Sequence, residues 1–239
     1  GTRMTPDKPV QQEFGELVKE TKSLLKSMQA AGLKELPLGS DPAGSDPNGS
    51  SLSLAEKEKI IAPIRTEALK CVKCRLSKTR KSVVFSDGSL AADLVFVGEG
   101  PGRDEDEQGV PFVGAAGKLL TKIIEAMKMK REEVYICNVV KCRPPQNRPP
   151  EPDEIAACSG YLQAQLLTIR PKVICALGKT AAVALLETEA PMGAMRGKTL
   201  EWKGIPLIVT YHPAYLLRNP AAKKDVWADM KKVLAFLSS

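Results

Sequence analysis

The chain has 239 residues, 43% of them hydrophobic and only 5% aromatic, enough for one sizeable domain with an extension. Its formal net charge is +7, from 35 Lys and Arg against 28 Asp and Glu, which suits a polyanionic partner without requiring one. No stretch is apolar enough to span a bilayer and the first thirty residues hold no apolar signal core, so neither a membrane protein nor a secreted one is expected.

Residues 1–50 read as an extension and 51–239 as the domain proper. Within the extension, Phe14, Leu17, Val18, Leu24, Leu25 and Met28 recur at helical spacing, which predicts an amphipathic helix over about 11–31. The stretch 39–50 is a near-repeated Gly, Ser, Asp and Pro sequence of linker composition. Together they suggest a tethered element that recruits a protein partner. Ser53 and Glu56 then stand at capping-box spacing and open the first helix of the domain, which Pro63 is expected to break or kink.

Six cysteines in a chain of this length suit a metal site in a reducing cytoplasm better than a disulfide framework, and a cytoplasmic location is expected. Cys71 and Cys74 form a Cys-x2-Cys pair, and Cys142 and Cys158 follow at a spacing of Cys-x15-Cys around a proline-rich loop. Four thiolates suit a structural zinc or a [4Fe–4S] cluster, and spacing does not choose between them. Reduced, unliganded cysteines are the plain alternative.

Four unbroken apolar runs, at 94–97, 134–140, 173–177 and 207–210, have the character of strands covered on both faces. Helical patterns alternate with them near 119–127, 152–168, 178–187 and 223–237. This order predicts a three-layer α/β/α sandwich around a mainly parallel four-stranded sheet, with the helical extension preceding it. Leu200 to Trp202 and Ile205 to Val209, joined across Lys203 and Gly204, read as a hairpin at one edge. In such sheets ligands bind beyond the carboxyl ends of the strands, where this chain places its unusual polar segments.

The first of these is Gly98-Glu99-Gly100-Pro101-Gly102, followed by the acidic run Asp104, Glu105 and Asp106. It fits neither a Walker loop nor a dinucleotide fingerprint. Pro111-Phe112-Val113-Gly114 places an aromatic ring beside glycines, suited to stacking on a planar base although most phenylalanines are core. Toward its end the second strand carries Asn138, whose amide is costly to bury unless satisfied and matches the donor–acceptor edge of uracil or another amide-like group. The fourth runs into the only histidine of the chain, His212, and then two leucines and an arginine.

In this order, Gly98-Glu99-Gly100-Pro101-Gly102, Pro111-Phe112-Val113-Gly114, Asn138-Val139-Val140-Lys141-Cys142-Arg143-Pro144-Pro145 and His212-Pro213-Ala214-Tyr215-Leu216-Leu217-Arg218 closely resemble the family-4, iron–sulfur uracil-DNA glycosylases. The resemblance covers about residues 70–238. It implies a monofunctional hydrolase that extrudes uracil from single- or double-stranded DNA and cuts the N-glycosidic bond, leaving an abasic site. It implies a structural [4Fe–4S] cluster on Cys71, Cys74, Cys142 and Cys158, with Cys137 and Cys175 packing as small hydrophobes. Phe112 would stack on uracil, Asn138 would read its edge, and Gly100 would leave room and offer a backbone N–H. His212 would donate to O2 as charge develops on the departing base.

By the same resemblance Leu216 holds the intercalating position and Arg218 contacts the DNA backbone. The first-discovered family of the superfamily carries a water-orienting aspartate where this chain has Gly100, so Glu99 is the candidate for water or pocket polarity and Glu105 for shaping the pocket. With no second histidine and an acidic segment at 103–111, covalent trapping of uracil-DNA is not expected. The chain is expected to act as a monomer, away from membranes. The competing readings are a non-catalytic iron–sulfur DNA-binding module associated with replication, and a zinc-stapled scaffold.

Overall fold

The computed structural model describes residues 52–238. The expected extension, with its helix, linker and partner-binding role, lies outside the described residues. No described helix is long and apolar enough to cross a membrane.

Six strands form one sheet: β1 (Asp87–Gly88), β2 (Leu94–Gly98), β3 (Tyr135–Asn138), β4 (Val173–Leu177), β5 (Thr199–Trp202) and β6 (Ile205–Thr210). Their spatial order is β1-β3-β2-β4-β6-β5. The inner four are mutually parallel, and the two edges pair antiparallel. The expected four-stranded parallel sheet is therefore the centre of a six-stranded mixed one. β5 and β6 are the hairpin read from sequence, its turn made by Lys203 and Gly204, both at positive φ (47° and 81°). Such a turn matches the twist of the paired strands. β1 escapes the sequence because it has two residues and no apolar pattern.

Helices cover both faces. One side carries α1 (Leu54–Leu69), α4 (Pro152–Ile169) and α5 (Lys179–Leu186), which pack Ile61, Leu166 and Ala182 against Val95, Val97 and Ile174. The other carries α3 (Ala115–Ala126) and α8 (Lys223–Leu237), with Leu120, Ile124 and Met230 against Leu94, Phe96 and Val173. Successive residues of a strand face opposite ways, so Leu94 to Val97 feed both cores in turn, which is why the run is apolar without alternation. Three short helices, α2 (Arg103–Gln108), α6 (Met192–Met195) and α7 (Pro213–Arg218), lie in the connections.

The Ser53–Glu56 capping box forms, Glu56 Oε2 accepting from Ser53 N at 2.8 Å. The break expected at Pro63 does not occur, and α1 continues to Leu69. Pro63 lies on an exposed face, where a carbonyl deprived of its helical partner can bond water instead. The acidic run at 104–106 opens α2, its carboxylates complementing the positive end of the helix.

Candidate active site and thiol pocket

The carboxyl ends of the parallel strands deliver the candidate residues to one place. Gly98 and Asn138 are Cα partners at the end of the β2–β3 ladder, and Leu177 and Thr210 end the β4–β6 ladder beside it. A Cβ built on Gly98 would overlap both Asn138 Oδ1 and the ring of Phe112, so glycine lets ring and amide converge. Phe112 sits in the left-handed region (φ 53°), and a Cβ at Gly117 would strike its carbonyl. The loop thus holds a strained aromatic residue over a bare stretch of α3. The Phe112 ring lies 5.6 Å from that of His212, tilted by 33°.

Asn138 is buried, yet its Oδ1 has no hydrogen-bond partner. Such an acceptor is costly, and in native proteins it marks a place where a ligand or water completes the bonding. His212 caps α7: the N–H of Ala214 donates to Nδ1 at 3.1 Å. Nδ1 is then the acceptor, so in the neutral ring the proton sits on Nε2. Burial lowers the imidazole pKa to about 4, Arg218 adding to the effect and the Glu105 charge opposing it. The ring is therefore uncharged at neutral pH.

Gly100 lies close to Val140 and Pro144, a Cβ there meeting Val140 Cγ2 at 2.8 Å. Glu99 accepts from the hydroxyl of Thr180 at the start of α5. Glu105 is engaged by three backbone donors: Gly102 N at 3.1 Å, Val113 N at 2.9 Å and Gly114 N at 2.8 Å. It thereby ties the start of α2 to the loop that carries Phe112. Arg218 is exposed and close enough to His212 to affect its charge.

Leu216 requires a correction. It is 1% exposed and packs in the core with Phe112 and Leu120, whereas Leu217 is 50% exposed and Tyr215 39%. One turn of helix from His212 points Leu216 inward and its neighbour outward. Leu217 is the exposed leucine of the two.

The four thiols expected together are neighbours. Cys74 lies near enough to Cys142 and Cys158 to raise both thiol pKa values, and Cys71 acts likewise on Cys158. Burial is the larger cause, pushing Cys142 up to about 11. Three of the four sulfurs receive N–H donors: Arg80 Nη1 to Cys142 at 3.2 Å, Lys141 N to Cys158 at 3.4 Å and Lys73 N to Cys71 at 3.5 Å. Among the described residues no three His, Cys, Asp or Glu side chains meet as ligands of a metal ion. Cys137 and Cys175 are buried strand residues, as expected, Cys137 in the core cluster that also holds Cys142 and Cys158 and Cys175 in the core on the other face.

Several supports were not foreseen from sequence. Glu154, its side chain wholly buried, accepts from Arg75 Nε at 2.9 Å, Arg148 Nη2 at 2.6 Å and Glu151 N at 2.8 Å. Arg148 beside it holds its carboxyl down at about 2. This clamp joins the Cys71–Cys74 segment, the proline-rich loop and the start of α4, which carries Cys158. Asp229 accepts from Thr210 Oγ1 at 2.8 Å and Arg196 Nε at 2.9 Å, fixing the strand end before His212. The one sequence signal was the capping position of Glu154 after Glu151; the other contacts join residues distant in the chain.

Residues 85–231 match the family model described as the uracil DNA glycosylase superfamily. A type-4 uracil-DNA glycosylase from Thermotoga maritima is 43% identical over 185 residues, covering 76% of this chain and 96% of that protein. Those from Saccharolobus solfataricus and Archaeoglobus fulgidus are each 46% identical, over 74% and 70% of this chain and 86% and 88% of theirs. This chain belongs to the uracil-DNA glycosylase superfamily, among its type-4 members.

Proposed function

We propose that this protein excises uracil from DNA by hydrolysing the N-glycosidic bond, releasing the free base and leaving an abasic site for repair. The observation that carries the reading is the unpartnered Oδ1 of Asn138, buried beside the Phe112 ring at the ligand-binding end of the sheet. Uracil offers what that atom lacks: N3–H donates to Oδ1 while O4 accepts from the amide nitrogen. Cytosine presents an unprotonated N3 and an amino group there, so the same amide in that orientation rejects it.

A base cannot reach this pocket while stacked in a duplex, so it must be flipped out and lodged against Phe112. Arg218 and Leu217, both exposed on the helix that His212 caps, would contact the DNA and support extrusion. As the glycosidic bond breaks, negative charge grows on the uracil ring. Neutral His212 donates from Nε2 to O2, a preorganised dipole of the oxyanion-hole kind, typically worth about 3 kcal/mol. The Nδ1 contact with Ala214 holds the ring in that tautomer. The Gly100 N–H is a second donor, and Glu99, steadied by Thr180, orients the water that meets the sugar. Glu105 is saturated by backbone donors and serves as a positioning residue for the Phe112 loop.

The thiol set fits a [4Fe–4S] cluster on Cys71, Cys74, Cys142 and Cys158, because gathered thiols with N–H groups aimed at sulfur stabilise thiolate charge. When bound, the cluster would supply a structural tie between α1, the proline-rich loop and α4. The role fits the place, since the pocket residues lie on the strands and loops that these segments support.

The test is alkali-revealed cleavage of an oligonucleotide carrying one uracil, using brown protein purified without oxygen. Cleavage confined to the uracil strand and dependent on alkali is expected. Cleavage without alkali would show a lyase step, and none from cluster-replete protein would leave a DNA-binding module.

A further inference from the structure

Lys141 is a buried charged-type side chain, only 1% exposed, three residues after Asn138 and immediately before Cys142. Its Nζ donates to the main-chain oxygen of Asn138 at 2.7 Å and to Gln165 Oε1 at 2.5 Å. Gln165 is itself buried, its Nε2 donating to Phe85 O at 3.1 Å and Tyr135 Oη at 3.0 Å. Lys141 is held along its backbone as well: its N–H faces Cys158 Sγ at 3.4 Å, and its carbonyl accepts from Val84 N at 2.8 Å.

A hydrocarbon side chain of similar volume would fill this space without the several kcal/mol of desolvation that burying an ammonium costs. The contacts show what Nζ adds. The Asn138 amide is not gripped at its tip, because Oδ1 has no partner. Its aim is therefore set from the backbone, by the ladder to Gly98 on one side and by the bond from Lys141 Nζ on the other. An N–H···O bond from a buried, fixed donor holds the plane of the peptide that follows Asn138, and with it the direction in which the side chain leaves the strand.

We infer that Lys141 is a positioning residue for base recognition, its buried Nζ, backed by Gln165, setting the Asn138 amide at the angle that receives uracil. The same residue faces Cys158 through its backbone N–H, so one residue touches both the thiol pocket and the base pocket. The inference rests on the reading of Asn138 as the base-reading residue.

A double-mutant cycle with two readouts tests it. Lys141→Met, Asn138→Ala and the double variant are compared for kcat/KM on a uracil-containing single strand. They are also compared for Kd, by fluorescence anisotropy, toward a strand carrying a non-hydrolysable 2′-fluoro-deoxyuridine and toward a uracil-free strand. Lys141→Met is expected to lower kcat/KM about tenfold and weaken the analogue complex, leave uracil-free binding unchanged, and add nothing to Asn138→Ala. An additive effect in the double variant, or equal weakening toward uracil-free DNA, would overturn the inference while leaving the base-reading role of Asn138 in place. Asn138→Ala with unimpaired excision would remove that role and the inference with it. Gln165→Met keeps Nζ and removes its side-chain acceptor. It should give the same non-additive pattern in smaller degree, and it decides the question if Lys141→Met does not fold.

Discussion

Gly98 and Asn138 close the β2–β3 ladder as direct Cα partners, and the space above Gly98 is filled by the Asn138 amide and the Phe112 ring. A methyl group at residue 98 has no room without displacing one of them. Gly98→Ala should therefore lower excision at least about a hundredfold and cost about 1–3 kcal/mol, as overpacking does. Kinetics on a uracil strand and a denaturant midpoint check both halves. A variant with normal kinetics would show that ring and amide do not need this geometry.

Asn138→Ala separates function from stability. The wild-type protein carries a buried acceptor without a partner, a penalty of about 1–3 kcal/mol that the variant removes, offsetting its lost packing. Unfolding free energy should change by less than about 1 kcal/mol while excision falls a hundredfold or more, roughly the loss expected where a buried recognition group is deleted. A large fall in stability with modest kinetic loss would mean that the amide is a structural group already satisfied in solution.

His212 sets the acid limit of activity. Its pKa falls from 6.5 to about 4 through burial, so the donor tautomer persists well below neutrality. The acid limb of kcat/KM, which reports the free enzyme, should bend near pH 4 rather than near 6.5. Folding is linked to the same group. The unfolded chain takes up the proton first, so stability falls as pH drops from about 6.5 to about 4 and does not depend on this group above that window. His212→Gln should remove both effects and slow excision by about 10²–10³. A limb near 6.5 in the wild type would mean that the imidazole is solvated.

The centre of the fold was legible because the physics of the inner strands is one-dimensional. Residues 94–97 and 173–177 are covered on both faces, so an unbroken apolar run has one reading. β1 was not legible, since Asp87 and Gly88 are recruited by backbone pairing with Ile136 and Tyr135 alone. Among site residues, Asn138, Phe112 and His212 stood out as chemically odd residues at strand ends or between glycines. Leu216 was misplaced because adjacent leucines on one short helix differ only in which faces the core, and that depends on packing against Phe112 and Leu120. Lys141 and Gln165 passed unnoticed because a bond between residues 24 apart leaves no local pattern.

Glu154 predicts how the thiol pocket fails. Its buried carboxylate joins Arg75, which follows Cys74, to Arg148 in the proline-rich loop. Glu154→Gln removes the buried carboxylate that the two arginines share, leaving Arg75 only its exposed pair with Asp153 and Arg148 only Glu151 at 4.0 Å. The visible absorbance of the loaded protein should then bleach several times faster in air, with the initial excision rate little changed. Unaltered bleaching would place the clamp outside the support of the thiols.

Leu216 and Leu217 give the clearest contrast, because neighbours of the same type are predicted to fail differently. Leu216 is buried beside Phe112 and Leu120, so truncation to Ala leaves a cavity and costs about 2–5 kcal/mol. Leu217 is half exposed, and its truncation should alter stability by no more than about 0.5 kcal/mol. What Leu217→Ala removes is an apolar wedge for the gap left by an extruded base. Uracil already unstacked in a single strand needs no such wedge. Excision from duplex DNA should therefore fall about tenfold relative to excision from a single strand, the difference reporting the cost of unstacking. Equal losses on both substrates would move Leu217 out of the flipping step. A duplex-selective loss in Leu216→Ala, at unchanged stability, would mean that α7 turns over when it meets DNA and presents its inner leucine instead.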